Sequence, residues 1–316
     1  MRTSSKANLL FVLVSMGGFV AVLNLQPSKP LTVRVLTYNT HLLPRLAEAF
    51  ASHRGRGDYR AETIGHRIAE HDLVGLCEVF DPTYRDSLIR SAQAATDGKF
   101  HVFWTKKPRG IGFANSGLLL LSVFAIEASH SITYTSASGF ATEGFRADGF
   151  AAKGAIHARL RVRENPPLEL DCFLTHLESR SDTARAAQLW QLAEFMRMHV
   201  SARRPALLMG DLNVRADSAS SGDQRSPYLQ LVAALAGAGI EWIDVWSDAG
   251  RGADGTSDPL AEDGGHRIDY IWLSPPPTGR SSPLVRDIEV LRFLDTTVPG
   301  GSLSDHSGVA CIMELQ

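Results

Sequence analysis

Cysteine is scarce in this chain. Its 316 residues include 3 cysteines, Cys77, Cys172 and Cys311, each inside an apolar strand-like run and without C-x-x-C or finger spacing. That excludes a disulfide framework and a cysteine-ligated zinc module, and it leaves the three as small buried hydrophobes. No G-x-S-x-G turn is present and no cysteine stands at a strand end, so the signatures of a serine or cysteine nucleophile are missing. Basic charge is not in excess: Lys+Arg of 32 against Asp+Glu of 34 gives a formal net charge of −2, which weighs against a nucleic-acid binder. No repeat of fixed period occurs. At 44% hydrophobic and 21% charged, the composition is globular, with ample material for a sizeable core.

One long uncharged run does occur, at the start. Arg2 and Lys6 precede a charge-free stretch from Ala7 to Ser28 whose centre, Leu9 to Leu25, is rich in Leu, Val and Phe. The pattern predicts a secretion signal or a single membrane anchor. The basic flank places the remainder outside the cytoplasm, secreted, periplasmic or tethered to the membrane. Residues 1–30, ending in the linker Gln-Pro-Ser-Lys-Pro around Pro30, are thereby set apart from a fold that occupies 31–316.

The stretch around which that fold is organised is Pro205-Ala206-Leu207-Leu208-Met209-Gly210-Asp211-Leu212-Asn213. An apolar run of strand length ends in a glycine, then a carboxylate and an amide two residues apart. In extended backbone, positions i and i+2 share a face, so Asp211 and Asn213 are expected to project together. Gly210 allows a ligand or another backbone to come close. Hard oxygen donors side by side suit a magnesium-type cation, although Gly, Asp and Asn are also ordinary turn residues.

Earlier and later segments repeat the theme. Leu31 to Tyr38 alternates as a strand and ends in Asn39; Ala61 to Glu70 and Thr83 to Ala95 read as helices. Leu73 to Val79 is a short apolar run carrying Glu78, a carboxylate that is costly to bury unless paired or metal-bound. Asn115-Ser116-Gly117 leads into the run Leu118 to Leu121. A Gly/Phe-rich segment with Phe140, Phe145 and Phe150 precedes Lys153-Gly154 and a strand to Val162. Leu168 to Leu174 is a strand ending in Thr175-His176-Leu177, and Ser181 or Asp182 caps the helix after it. Ser226-Pro227 opens another helix. A Trp-rich strand (Glu241 to Trp246), an acidic Gly-rich loop, a strand from His266 to Trp272, Ser304-Asp305-His306 and a last strand from Val309 to Leu315 complete the chain.

Strands alternate with helices or longer connections, and the polar exceptions sit at strand ends: Asn39, Glu78, His176, Asp211, Asn213, Asp269, Asp305 and His306. In layered α/β folds such ends gather on one rim. The set is rich in oxygen ligands with two histidines, which fits metal-assisted attack of water on a phosphate ester. The other histidines, such as His53, His66, His101 and His199, have no motif around them and read as surface or satisfied polar residues.

In this order, T-Y-N-T-H (Asn39), L-C-E-V (Glu78), N-S-G-L (Asn115), K-G (Lys153), T-H-L (His176), G-D-L-N (Asp211, Asn213), R-I-D-Y (Asp269) and S-D-H (Asp305, His306) resemble the endonuclease/exonuclease/phosphatase superfamily, from residue 33 to the C-terminus. The chain is most similar to its neutral sphingomyelinase branch, through Lys153-Gly154 after the Gly/Phe loop, Thr-His-Leu, and the helix carrying Arg185, Gln188 and Leu189. The resemblance implies a pancreatic-deoxyribonuclease-like α/β fold, a four-layer sandwich of two packed mixed sheets flanked by helices, forming one catalytic domain over 31–316 that acts as a monomer. It implies one or two Mg2+ ions, replaceable by Mn2+ or Co2+, held by Glu78 and Asn39 with Asp211, Asn213, Asp305 and His306 as further ligands.

On this reading His306, oriented by Asp269, is the general base, and Asp211 orients the water. Lys153, Asn213, His176 and Asn115 face the phosphate, and the substrate is a phospholipid at a membrane surface. One departure stands out. The secreted bacterial sphingomyelinases carry an aromatic-tipped hairpin between R-I-D-Y and S-D-H, and here that interval has no Trp and one Phe, Phe293. A nuclease of the same fold, a phosphatase on another phosphoester and a non-catalytic tethered module are the alternatives.

Overall fold

The computed structural model describes residues 29–45, 55–106, 115–136, 152–217, 226–251, 254–274 and 283–315. In chain order these form β1 (Leu31–Leu42), α1 (Gly57–Ile68), β2 (Leu73–Val79), α2 (Pro82–Ala95), β3 (His101–Trp104), β4 (Leu119–Ser122), β5 (Ala125–Thr133), β6 (Gly154–Arg163), β7 (Leu168–His176), α3 (Asp182–His199), β8 (Ala206–Asp211), α4 (Pro227–Ala236), β9 (Ile243–Asp244), α5 (Val245–Asp248), β10 (Asp269–Ser274), β11 (Leu284–Leu291) and β12 (Gly308–Leu315). The helix starts follow the side chains that satisfy free N–H groups: Asp81 accepts from Thr83 and Tyr84, Ser181 from Ala184, and Ser226 from Leu229.

Two sheets result, of six strands each, in the orders β11-β12-β1-β2-β4-β3 and β5-β6-β7-β8-β10-β9. Each is mixed: β1 with β2 and β7 with β8 are parallel, and the other pairs are antiparallel. Strand alternation builds the layers. On β7 and β8, Cys172, Leu174, Leu207 and Met209 join Val33, Val35 and Leu73 in a core between the sheets. Their alternate neighbours Phe173, Ala206 and Leu208 pack instead under α3 and α4 with Leu192 and Leu231. Leu36, Tyr38 and Leu76 pack likewise under α1 and α2 with Ile64 and Leu88. The order helix, sheet, sheet, helix is the four-layer sandwich expected.

The strands that the residue pattern did not predict share a location. β3, β5 and β11 lie at sheet edges, and β5 and β11 expose much of their length, so neither carries the apolar alternation that marks a covered strand. The Trp-rich run shrinks to the two residues of β9 because Asp244 caps the single turn α5. β10 begins at Asp269 rather than His266, since the backbone of His266 and Ile268 is engaged by Thr256. The three cysteines are free and buried.

The extracytoplasmic placement does not stand. No helix among the described residues is long and apolar enough to cross a membrane, and the stretch Ala7 to Ser28, from which secretion or anchoring was inferred, lies outside the described residues. The Phe140–Phe150 segment lies outside them as well.

Candidate active site

The parallel strands and β10 bring the polar strand ends to one rim. In the second sheet His176 pairs with Asp211, and Asp211 with Asp269, so three functional side chains lie in register across three adjacent strands. Gly210 makes that register possible. Its φ is +140°, and a Cβ there would stand 1.9 Å from the carbonyl oxygen of Thr175, so the close neighbour that this glycine admits is the backbone of β7. Across the core, Asn39 pairs with Cys77 in the first sheet. Alternation at the end of β2 would send Glu78 to the face opposite Cys77. Glu78 instead adopts φ +59°, a left-handed conformation that costs a non-glycine residue about 1–3 kcal/mol. Its carboxylate then meets Asn39 and His176.

The contacts are short and mutual. Asn39 Nδ2 donates to Asp211 Oδ2 at 2.9 Å and to Glu78 Oε1 at 3.2 Å. His176 Nε2 lies 3.4 Å from Asp211 Oδ2 and 3.8 Å from Glu78 Oε1, and 2.9 Å from Lys153 Nζ. His306 Nδ1 lies 2.9 Å from Asp269 Oδ2, and its Nε2 lies 3.8 Å from Asp211 Oδ2. Asn213 does not continue the strand: at φ +51° it folds back, its N–H donating to Asp211 Oδ1 at 3.0 Å and its amide to the Leu177 carbonyl at 2.9 Å. The expected neighbourhood of Asp211 and Asn213 therefore arises through a turn rather than strand alternation.

Burial and charge set the protonation. Burial, then the Asp269 charge, pushes Asp211 up to about 7. For His306 burial opposes the positive charge, but Asp269 and Asp211 outweigh it and hold the imidazolium well above the ordinary histidine range. The site thus keeps protons that isolated groups would release, as expected where buried carboxylates crowd and His306 and Lys153 only partly offset them.

That crowding fits a divalent cation. Ligand atoms of Asp211, Asp269 and His306 lie within 4.8 Å of one another. Asp269 Oδ1 is buried without a hydrogen-bond partner among the described residues, leaving lone pairs for a hard cation. Asn39 turns its amide nitrogen toward the carboxylates, its oxygen accepting the His41 N–H at 3.1 Å. Asp305 faces His41, Oδ1 to Nδ1 at 2.5 Å, and stands beside rather than within the Asp211–Asp269–His306 group. Asn115 accepts the Gly117 N–H at 2.8 Å, and the Gly117 carbonyl accepts the Val79 N–H, so this turn lies against Glu78.

Several supporting residues, Thr256 and Arg60 among them, had no sequence motif, whereas Ser304 belongs to S-D-H. Thr256, in the acidic Gly-rich loop, donates from Oγ1 to Asp269 Oδ2 at 2.6 Å, and its carbonyl accepts the Ser307 N–H at 2.7 Å. Ser304 Oγ donates to the Asn39 carbonyl at 2.7 Å. Arg60 on α1 is buried and donates to the carbonyls of Leu303, Thr40 and His41. These bonds tie the His306 loop to β1 and β10. Arg185 and Gln188 prove to be scaffold: Gln188 accepts the Glu178 N–H and Arg185 donates to the Glu178 carbonyl, fixing the turn after His176.

Two packed mixed sheets thus gather carboxylates, amides and histidines on one rim. The chain belongs to the Endonuclease/Exonuclease/phosphatase family, whose model matches residues 36–306. A Caenorhabditis elegans protein named as a candidate neutral sphingomyelinase is 28% identical over 192 residues, 58% of this chain and 41% of that protein. The chain thus spans less than half the length of that relative. Among solved structures, sphingomyelinase C from Streptomyces griseocarneus matches with a TM-score of 0.60 at 19% identity, over 89% of this chain and 99% of that one. A Staphylococcus aureus beta toxin mutant with bound magnesium ions matches with 0.61 at 15%, over 89% and 99%. TDP2 from D. rerio, in complex with a single-strand DNA product, matches with 0.61 at 18%, over 89% and 98%. The likeness to these structures is one of fold.

Proposed function

We propose that the chain is a magnesium-dependent phosphodiesterase that hydrolyses sphingomyelin to ceramide and phosphocholine at a lipid surface, acting as a monomer. The observation that carries the chemistry is the His306–Asp269 pair facing Asp211 across the rim, with Glu78 turned in by its left-handed backbone. The C. elegans relative supports the choice of lipid, and the near-neutral charge weighs against DNA.

Glu78, Asp211 and Oδ1 of Asp269 would hold Mg2+, with Asn39 beside them; the ion would neutralise phosphate charge and polarise phosphorus. Asp269 accepts from Nδ1 of His306, which leaves Nε2 to take a proton from the attacking water. Thr256 holds Asp269 in that orientation. The water oxygen bonds to phosphorus and the ceramide oxygen departs. Lys153, Asn213 and Asn115 face the charge that gathers on the phosphoryl oxygens; His176 donates its own proton to the leaving oxygen and regains one from solvent, to which His306 releases the proton of the attacking water.

The test assays the purified chain on sphingomyelin in mixed micelles and on plasmid DNA, with magnesium and then EDTA, and with Glu78→Ala as the blank. Magnesium-dependent phosphocholine release with intact plasmid is expected. Nicked plasmid with untouched lipid would overturn the lipid reading, and silence on both would point to another phosphoester.

A further inference from the structure

Three histidines meet away from the rim. His130 on β5 and His157 on β6 are cross-strand partners in register, and their Nδ1 atoms stand 3.4 Å apart. His199, the last residue of α3, stacks against both, with ring centroids 4.3 Å from His130 and 4.6 Å from His157. One ring nitrogen from each lies within 4.8 Å of the other two. Beneath them Asp171 on β7 is fully buried. Its Oδ1 lies 3.0 Å from His157 Nε2, and its Oδ2 accepts from Arg204 Nε at 2.7 Å.

These contacts have chemical consequences. A proton on Nε2 directed at the Asp171 carboxylate leaves the Nδ1 lone pair of His157 facing His130. Two nitrogens bound tetrahedrally to one zinc ion at about 2.05 Å are separated by ~3.3 Å, close to the observed spacing. A carboxylate on the far nitrogen is the support that metal-bound imidazoles usually have. Arg204 already balances the charge of Asp171, so no histidine is needed as its counter-ion. His157 is buried, His130 exposed and His199 half-buried, so the cluster opens to water on one side, from which an ion enters and a water can complete the coordination. His199, at a helix end, lies with its ring face over both partners, at interplanar angles of 24° and 11°, so its ring must turn to aim a nitrogen at the shared ion.

The cluster is separate from the active site. His157 lies four residues beyond Lys153, ~13 Å at the rise of a strand. It packs on Phe173 of the helix-side core, whereas Leu174 and Met209, which precede His176 and Asp211 on their own strand face, belong to the core between the sheets. The donor types differ too. Imidazole nitrogens favour zinc, nickel and copper, and carboxylate oxygens favour magnesium.

We infer that His130, His157 and His199 form a second metal site, which binds one zinc-class divalent cation and clips the C-terminal end of α3 to β5 and β6. The test is calorimetric titration of the whole chain with zinc chloride, after chelation and dialysis, in excess magnesium. Wild type, His130→Ala, His199→Ala and Asp211→Asn are compared, each with its melting midpoint measured without and with zinc. Wild type and Asp211→Asn should bind one zinc per chain and melt higher with it. His130→Ala and His199→Ala, folded by their zinc-free melting, should bind zinc at least ~10-fold more weakly and lose the rise in melting midpoint. Unchanged binding in both histidine variants, loss of binding in Asp211→Asn alone, or no zinc bound by wild type would overturn the inference.

Discussion

Thr256 Oγ1 sits 2.6 Å from the carboxylate oxygen that also meets His306, so a hydroxyl in a Gly-rich loop helps decide which way the His306 ring points. A hydrogen bond to a charged acceptor is worth ~1.5–3 kcal/mol. Thr256→Ala is therefore expected to lower kcat about 10- to 100-fold with KM little changed, and Thr256→Ser to restore it; equal kcat in the alanine variant would remove the residue from the account. Gly210 belongs to the same scale. A methyl 1.9 Å from a backbone oxygen, at φ +140°, forces β8 away from β7, so Gly210→Ala should destabilise the fold by more than about 3 kcal/mol, read as a lower urea midpoint. Glu78, Asp211, Asp269 and His306 were legible as residues because a polar group at the end of an apolar run is conspicuous. Thr256 was not, since one threonine in an acidic loop looks like any other.

Among the elements, the covered strands and the capped helices could be read from sequence, because burial on both faces imposes apolar runs and caps demand Ser or Asp. Edge strands β3, β5 and β11 could not, because one free edge and a wet face relax the pattern. Arg60 was equally hidden: an arginine on α1 looks solvent-facing until the fold lays three backbone carbonyls around it. Arg60→Ala leaves those carbonyls buried without donors and should lower stability by about 3 kcal/mol or more. It should also slow catalysis through the His306 loop, with Arg60→Lys recovering little of either. Wild-type denaturation and rate in Arg60→Ala would show that α1 does not anchor that loop. The histidine cluster also emerges at this scale, since strand register and the length of α3, not a local motif, bring His130, His157 and His199 together.

Over the whole molecule, the charge of the rim links metal, pH and stability. Asp211 and His306 each have a folded pKa raised above the ordinary values of 3.8 and 6.5. Their bound protons therefore favour the fold fully at low pH, and this contribution fades as pH rises, from Asp211 through about 7 and from His306 beyond it. A cation takes over the role of those protons and displaces them. The rise in melting midpoint caused by magnesium should accordingly be larger at about pH 8 than at about pH 6; a rise independent of pH would mean that the ion binds elsewhere.

Water attack at phosphorus is the claim on which the rest depends, and isotope labelling reads it directly. Sphingomyelin is turned over in oxygen-18 water with magnesium, and both products are weighed by mass spectrometry. If His306 delivers water to phosphorus, the heavy oxygen appears in phosphocholine and none in ceramide. Label in ceramide would place the broken bond between carbon and oxygen, and would contradict the proposed roles of Asp269, His306 and the rim that holds them.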